Sequence, residues 1–166
     1  MTAADVMRVG DLDRQSLVSF LGRFGIVPRW ISAGEPITGS FWGDPEAGVV
    51  GCQVFLRDDT PVHSMLHEVC HIICMDSGRR AVLDRDAGGD DAEESAVCYL
   101  QVVLADYLDG VGRGRLMQDM DSWGYSFRLG STGKWFEEDA NDAREWLLGK
   151  GLLDASGAPQ FRLRVD

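Results

Sequence analysis

The sequence predicts an α+β fold in one domain that covers residues 1–166, with a small, mostly antiparallel sheet packed on a central helix. Three observations favour this class. A chain of 166 residues has the usual length of one domain. Runs rich in β-branched residues occur before residue 58, whereas apolar residues at helical spacing dominate later. The content of 45% hydrophobic and 26% charged residues is typical of a globular domain.

The chain is strongly acidic, with 16 basic and 27 acidic residues and a net charge of −11. Such a charge repels phosphate groups, so we expect neither nucleic acid nor an anionic membrane surface as a partner. The start of the chain lacks the basic and apolar regions of a secretory signal, and no apolar run approaches the ~20 residues of a membrane helix. We therefore expect a cytoplasmic protein whose four cysteines stay reduced and pack as small buried hydrophobes.

Apolar periodicity and strand-forming residues define the first elements. Residues 11–25 carry apolar side chains at i, i+3, i+4 and i+7, which predicts an amphipathic helix. Residues 27–32 predict a short strand, and a loop rich in glycine and proline follows at 34–48. Residues 49–57, "VVGCQVFLR", are rich in β-branched and aromatic side chains and predict one further strand.

The next segment, residues 59–78, predicts a buried helix. Asp59 or Thr60 can cap its start, Pro61 suits the first helical position, and Gly78 can end it. One face carries an apolar stripe, formed by Val62, Leu66, Val69 and Ile73. Further apolar residues flank this stripe, so most of the helix surface is expected to be buried.

The remainder of the chain predicts mainly helices. A turn-rich connection leads to a second long helix at residues 91–108. Three short helices are expected at 114–124, 131–140 and 141–151. Residues 160–165, "QFRLRV", alternate between polar and apolar side chains and predict a terminal strand.

All three histidines of the chain, His63, His67 and His71, lie on the helix predicted at 59–78. His67, Glu68 and His71 form the pattern H-E-x-x-H. Residues i and i+4 share one helix face, so the imidazoles of His67 and His71 can bind one tetrahedral ion. Glu68 is then placed beside the ion and can act as general base toward a metal-activated water. The pattern predicts a metal site with Glu68 as the catalytic residue.

A third protein ligand is needed, and a carboxylate on the helix at 91–108 is the expected source. We favour Glu93, because it lines up with the apolar face that should pack on the metal-binding helix. Glu94 is the alternative, although it points about 100° further round that helix, toward Cys98 and Gln101. Asp90 and Asp91 remain weaker candidates.

These residues resemble the motifs of the gluzincin metallopeptidases, in particular the small forms and the ImmA/IrrE-type domains. The likeness covers residues 49–108 and rests on His67, Glu68, His71 and the E-x-x-A element at 93–96. It implies a zincin-like fold, Zn²⁺ bound by two histidines and a glutamate, and hydrolysis of a peptide or protein substrate. It also implies that the strand before the motif helix forms a cleft edge for an extended substrate.

A second resemblance leads to a different chemistry. The arginine pair Arg79 and Arg80, shortly after H-E-x-x-H, is similar to the pattern of the elongation-factor-P hydroxylase family. That likeness implies Fe²⁺, which also accepts two histidines and one carboxylate. A non-catalytic regulatory or binding module with a structural metal is the third hypothesis.

The sequence gives less support to other residues as parts of the metal site. One ion is hard to reach from three successive helical turns, so we expect His63 and Cys74 to lie outside the ligand set. We expect Phe41 and Trp42 in the core rather than at the mouth of a pocket. Several side chains remain possible donors to a developing oxyanion, namely Tyr99, Tyr107, Tyr125, Arg79 and Arg80.

Overall fold

The computed structural model describes residues 5–166 and has the predicted α+β composition. Its helices are Arg14–Gly22 (α1), Val62–Cys74 (α2), Ser77–Ala81 (α3), Asp91–Ala105 (α4), Arg113–Trp123 (α5), Thr132–Glu138 (α6) and Asn141–Gly149 (α7). Its strands are Val27–Trp30 (β1), Gly48–Val50 (β2) and Gln53–Leu56 (β3). Each predicted helix has a counterpart among these elements, and α3 is an additional short helix.

The sheet is mixed, so the prediction of a mostly antiparallel sheet was wrong. Its strand order is β1-β3-β2, with β1 parallel and β2 antiparallel to β3. The parallel pair is possible because a long connection, which contains β2, separates β1 from β3 in the chain. Residues 49–57 form two strands rather than one, because Gly51 adopts a φ of +58° and reverses the chain between Val50 and Gln53.

Helix α2 lies at the centre of the fold and is buried along almost its whole length. Neither Asp59 nor Thr60 caps it; Pro61 holds the N-cap position with an extended backbone. The helix ends at Cys74, before the predicted Gly78. The guanidinium of Arg80 explains this early end, since it donates to the backbone oxygens of Ile72 (2.8 Å) and Met75 (2.6 Å), which a longer helix would use itself.

Helix α4 packs across α2 and also contacts α5 and α7. Its start is fixed by Asp90, whose carboxylate accepts a hydrogen bond from the backbone N–H of Glu93 at 2.9 Å. Because α4 packs against α2, α5 and α7, most of its circumference is buried. The apolar face of α4 therefore does not identify by itself the side that meets α2.

An ion cluster joins the start of α4 to the C-terminal segment. Glu93 is only 4% exposed, and Arg79 donates to both of its carboxylate oxygens, at 2.8 and 2.7 Å. Arg164 approaches the same carboxylate at 3.4 Å. The backbone N–H of Arg164 donates to Ile73 O at 3.0 Å. Arg164 thus ties the C-terminal segment to the end of α2. Residues 160–165 are irregular, and the terminal strand predicted there is absent.

None of the helices described between residues 5 and 166 is both long enough and apolar enough to cross a membrane.

Replacing Glu93 by Gln should lower the free energy of unfolding by about 2–3 kcal/mol, because Arg79 and Arg164 lose a buried charged partner. The loss stays moderate because solvent still reaches Arg79. Urea denaturation at neutral pH measures the change. Asp91→Asn is the matched control, since Asp91 is an exposed acid in the same helical turn; it should cost less than about 1 kcal/mol. Equal losses in the two variants would contradict a stabilising role for this cluster.

Candidate metal centre

Helix α2 presents His67 and His71 one turn apart on one face, and both imidazoles meet the same carboxylate of α4. His67 Nε2 lies 3.0 Å from Glu94 Oε1, and His71 Nε2 lies 3.2 Å from Glu94 Oε2. The two rings are nearly perpendicular, at 83°, with their centroids 4.8 Å apart. Three side chains that commonly bind metals therefore meet between α2 and α4, with each imidazole against a different oxygen of Glu94.

The third member of this group is Glu94, not the favoured Glu93. Glu93 is buried as its alignment with apolar residues suggested, but it faces Arg79 and Arg164 instead of the imidazoles. The physical reason is the burial of α4 on several sides, so that an inward-facing position need not face α2. Asp90 caps α4, and Asp91 is exposed.

Electrostatics favour a positive charge between these groups. Burial opposes the charged form of Glu94, but hydrogen bonds with His67 and His71 outweigh it and hold the pKa of Glu94 well below its usual range. Burial likewise opposes an imidazolium at His67. Interactions with neighbouring groups, among them hydrogen bonds to Cys98 and Glu94, outweigh that effect and raise the pKa of His67 well above its ordinary value.

Gln101 orients the imidazole of His67 through a contact with its Nδ1 atom. His67 Nδ1 lies 2.9 Å from Gln101 Oε1, and the Gln101 amide donates to His63 O at 2.9 Å. Because the amide nitrogen is engaged by that carbonyl, its oxygen is left to accept a hydrogen bond from Nδ1–H. This directs Nε2 of His67 toward Glu94, where it donates a hydrogen bond as an imidazolium and would present a lone pair only after losing that proton. His71 differs, since its Nδ1 is buried without a hydrogen-bond partner among the described residues.

Glu68 lies next to the converging side chains and lines the cleft beside them. It is buried, and burial raises its pKa, while the positive charges of His71 and His67 offset part of the rise. A second carboxylate, Glu46, is fixed on the same cleft wall. It accepts hydrogen bonds from Ser64 Oγ at 2.5 Å and from Trp123 Nε1 at 2.7 Å.

His63 lies outside the converging group, as expected from its position one turn earlier. Its Nδ1 is 3.2 Å from the hydroxyl of Tyr125, and its ring packs against Trp123. Burial, together with the charges of His67 and Arg8, lowers the pKa of His63 to about 3, so the ring is neutral near pH 7. Burial raises the pKa of Tyr125 to about 12, which keeps its hydroxyl protonated.

The site opens into two neighbouring cavities, of about 720 and 250 Å³, which share His67, Glu68, Glu94 and Trp42 as lining residues. Loop residues 42–46 and the segment 123–127 line the larger cavity. Residues 85–89 line the smaller one. Phe41 and Trp42 are 51% and 72% exposed, so the prediction that they lie in the core was wrong. Trp42 instead forms part of the cleft wall.

The sheet edge beside the cleft is already hydrogen-bonded. Val49 of β2 donates its N–H to Gly39 O at 3.1 Å, and its carbonyl accepts from Arg85 N–H at 3.0 Å. Gly48 permits this close approach, because a Cβ there would collide with Thr38 O. Both backbone groups of Val49 are thus occupied by the neighbouring loops, at the strand where the gluzincin likeness implied a substrate edge.

Most of the other candidate residues have structural partners elsewhere. Arg79 is bound to Glu93, and Arg80 is bound to the backbone at the end of α2. Tyr99 stacks on Phe136 with ring centroids 4.5 Å apart. Two further candidates also lie apart from the cleft, since Tyr107 packs on Phe161 and Cys74 is fully buried in the core. Of the proposed oxyanion donors, only Tyr125 lines the larger cavity.

Sequence reasoning missed Gln101, Cys98 and Glu46 as parts of this site. For two of them the sequence held an indication: Glu94, Cys98 and Gln101 occur at i, i+4 and i+7 and so share one face of α4. A polar face of that kind on a buried helix indicates a polar site rather than solvent. Glu46 lies in a loop, where spacing predicts no contact with α2.

Comparison with known proteins identifies no relative: no family model, no curated protein and no solved structure matches this chain. The function has to be inferred from the side chains of the site.

Proposed function

We propose that the protein is a metal-dependent hydrolase of the metallopeptidase type, in which His67, His71 and Glu94 hold one divalent ion and Glu68 is the general base. One observation carries this proposal: both Nε2 atoms approach the two oxygens of a single carboxylate at the wall of an open cleft. Glu94 replaces Glu93 as the proposed third ligand, because only Glu94 reaches the imidazoles.

The spacing of these side chains suits one ion. Two ligands of a tetrahedral zinc ion, each about 2.0–2.1 Å from it, lie about 3.4 Å apart. The contacts of Glu94 with His67 and His71 measure 3.0 and 3.2 Å but involve different carboxylate oxygens, so binding one ion requires rotation of these side chains. Zn²⁺ is the proposed cofactor, and Fe²⁺ is the alternative because it accepts the same ligand types.

An ion bound there would supply a Lewis acid that polarises a carbonyl group and activates a water molecule. Glu68 lines both cavities beside the proposed ligands, so its carboxylate can take a proton from that water and deliver it to a leaving amine. Tyr125 lines the larger cavity and keeps its proton near neutral pH, so its hydroxyl is the proposed donor to a developing oxyanion.

The cleft suits a neutral or cationic part of a peptide. Carboxylates line the larger cavity, at Asp44, Glu46, Glu68 and Glu94, and neither lysine nor arginine is present among the described residues that line it. Their field disfavours anionic groups and attracts basic ones. Because Val49 is already hydrogen-bonded, the substrate is proposed to lie in the larger cavity, between residues 42–46 and residues 123–127, rather than along β2.

An iron-dependent protein hydroxylase is the second candidate, since two histidines and one carboxylate beside an open cleft also form a facial triad. The arginine pair that carried this resemblance is engaged away from the cleft. Elemental analysis of protein purified without added metal separates the candidates. One equivalent of zinc supports the hydrolase, one equivalent of iron supports the hydroxylase, and no stoichiometric transition metal contradicts both.

Glu94→Gln and Glu93→Gln form a matched pair that tests the third ligand. Glu94→Gln should weaken zinc binding by more than the roughly 10–100-fold that loss of an outer partner costs, because a direct ligand is weakened. Glu93→Gln should bind zinc as the parent protein does at a temperature where it is folded. Competition with a chromophoric chelator measures both affinities. The opposite ranking would restore Glu93 as the ligand.

Glu68→Gln should keep one equivalent of zinc but lower turnover by about 10²–10⁴-fold, because the amide cannot accept the proton. Hydrolysis of a pool of fluorogenic peptides, with zinc content determined on the same samples, provides both numbers. Loss of zinc in this variant would mean that Glu68 is itself a ligand, and the proposed roles would have to be exchanged.

Gln101→Leu should weaken zinc binding by about 10–100-fold, because His67 loses the acceptor that fixes its tautomer and ring orientation. Gln101→Glu keeps an acceptor at nearly the same place and should retain most of the affinity. Competition with the same chromophoric chelator measures the zinc affinities of both variants. If both variants bind zinc equally, Gln101 does not orient His67.

A further inference from the structure

Glu94 and Cys98 on α4 have the same spacing in the sequence as His67 and His71 on α2. In both pairs the residues are four positions apart, so their side chains lie one turn apart on one helix face. Because α2 and α4 pack against each other, these two faces meet. The site thus combines two such pairs, and the thiol is the fourth group capable of binding a metal.

Distances place the thiol within reach of the proposed ion. Cys98 Sγ, a ring nitrogen of His67 and a carboxylate oxygen of Glu94 all lie within 4.8 Å of one another. Sulfur and nitrogen ligands of one tetrahedral zinc ion, at about 2.3 and 2.0–2.1 Å from it, lie about 3.6 Å apart. Closing this gap takes a movement of about 1 Å, which rotation of the Cys98 and His67 side chains can supply.

The other cysteines have a different environment. Cys70 and Cys74 are fully buried on α2, and Cys52 is partly exposed in the turn between β2 and β3. Within residues 5–166, Cys98 is the cysteine that belongs to a cluster of potential metal ligands. It is 8% exposed and lines the larger cavity, so its sulfur borders the site and not only the core.

We infer that Cys98 Sγ is a fourth, displaceable ligand of the ion held by His67, His71 and Glu94. This inference rests on the proposed function. Binding converts the thiol to a thiolate and releases one proton to solvent. A thiolate also favours Zn²⁺ over harder ions such as Mg²⁺. While sulfur is bound the site has four protein ligands and is closed, so a water or substrate oxygen enters by displacing it.

Cobalt provides a direct test, because a thiolate bound to Co²⁺ gives an intense charge-transfer absorption in the near ultraviolet. Zinc-free protein titrated with Co²⁺ should develop this band together with weaker visible bands at one equivalent. Cys98→Ser should lose the near-ultraviolet band and keep the visible ones. Cys52→Ser is the matched control, since it removes a thiol outside the cluster, and it should keep both.

Two outcomes separate this inference from the function on which it rests. Visible bands at one equivalent without the charge-transfer band would overturn the role of Cys98 and leave the three-ligand site intact. Absence of any bound cobalt, confirmed by equilibrium dialysis with Zn²⁺, would overturn the metal centre and the role of Cys98 together.

A second measurement needs no variant. Iodoacetamide should alkylate Cys98 at least about tenfold more slowly in the zinc-loaded protein than in the zinc-free protein, because a metal-bound thiolate is a weaker nucleophile. Mass spectrometry of peptides gives the rate at each cysteine. The rate at Cys52 should not change with zinc. Equal rates at Cys98 with and without zinc would overturn the inference even if Cys98→Ser did not fold.

Discussion

The packing of α2 against α4 is the constraint on which the rest of this structure depends. It brings two largely buried imidazoles of one helix against a half-exposed carboxylate of the other, at the wall of an open cleft. Apolar residues around both helices stabilise the contact. A different crossing of these helices would separate His67 and His71 from Glu94.

Polar partners reach this interior from several elements. Gln101 links the ring of His67 to the backbone of His63, and Tyr125 approaches both histidines from beyond α5. Glu46, in the loop before β2, is held by a serine of α2 and a tryptophan of α5. These hydrogen bonds tie several elements of the fold to the site. Such a preorganised shell is what a metal ligand set requires.

Loops shape the cleft, and they also decide how a substrate can approach. The loop that contains Gly39 and Trp42 covers the edge of β2 before it turns along the larger cavity. The segment that contains Arg85 also covers β2, through the hydrogen bond to Val49 O, and it lines the smaller cavity. The short sheet thus positions α2 but offers no free edge at Val49. Part of the wall of the larger cavity consists of loop side chains, which can vary without disturbing the two central helices.

The sequence by itself determined the local features: the helices, the pairing of His67 with His71, and the position of Glu68 beside them. These follow from helical periodicity, which acts over one or two turns and needs no distant contact. Only the tertiary structure shows that Glu94, and not Glu93, meets the imidazoles, because a helix buried on several sides has more than one inward face. The split of residues 49–57 and the irregular C-terminal segment were also decided by long-range contacts. Strand pairing produces the first, and the binding of Arg164 to the distant end of α2 accompanies the second.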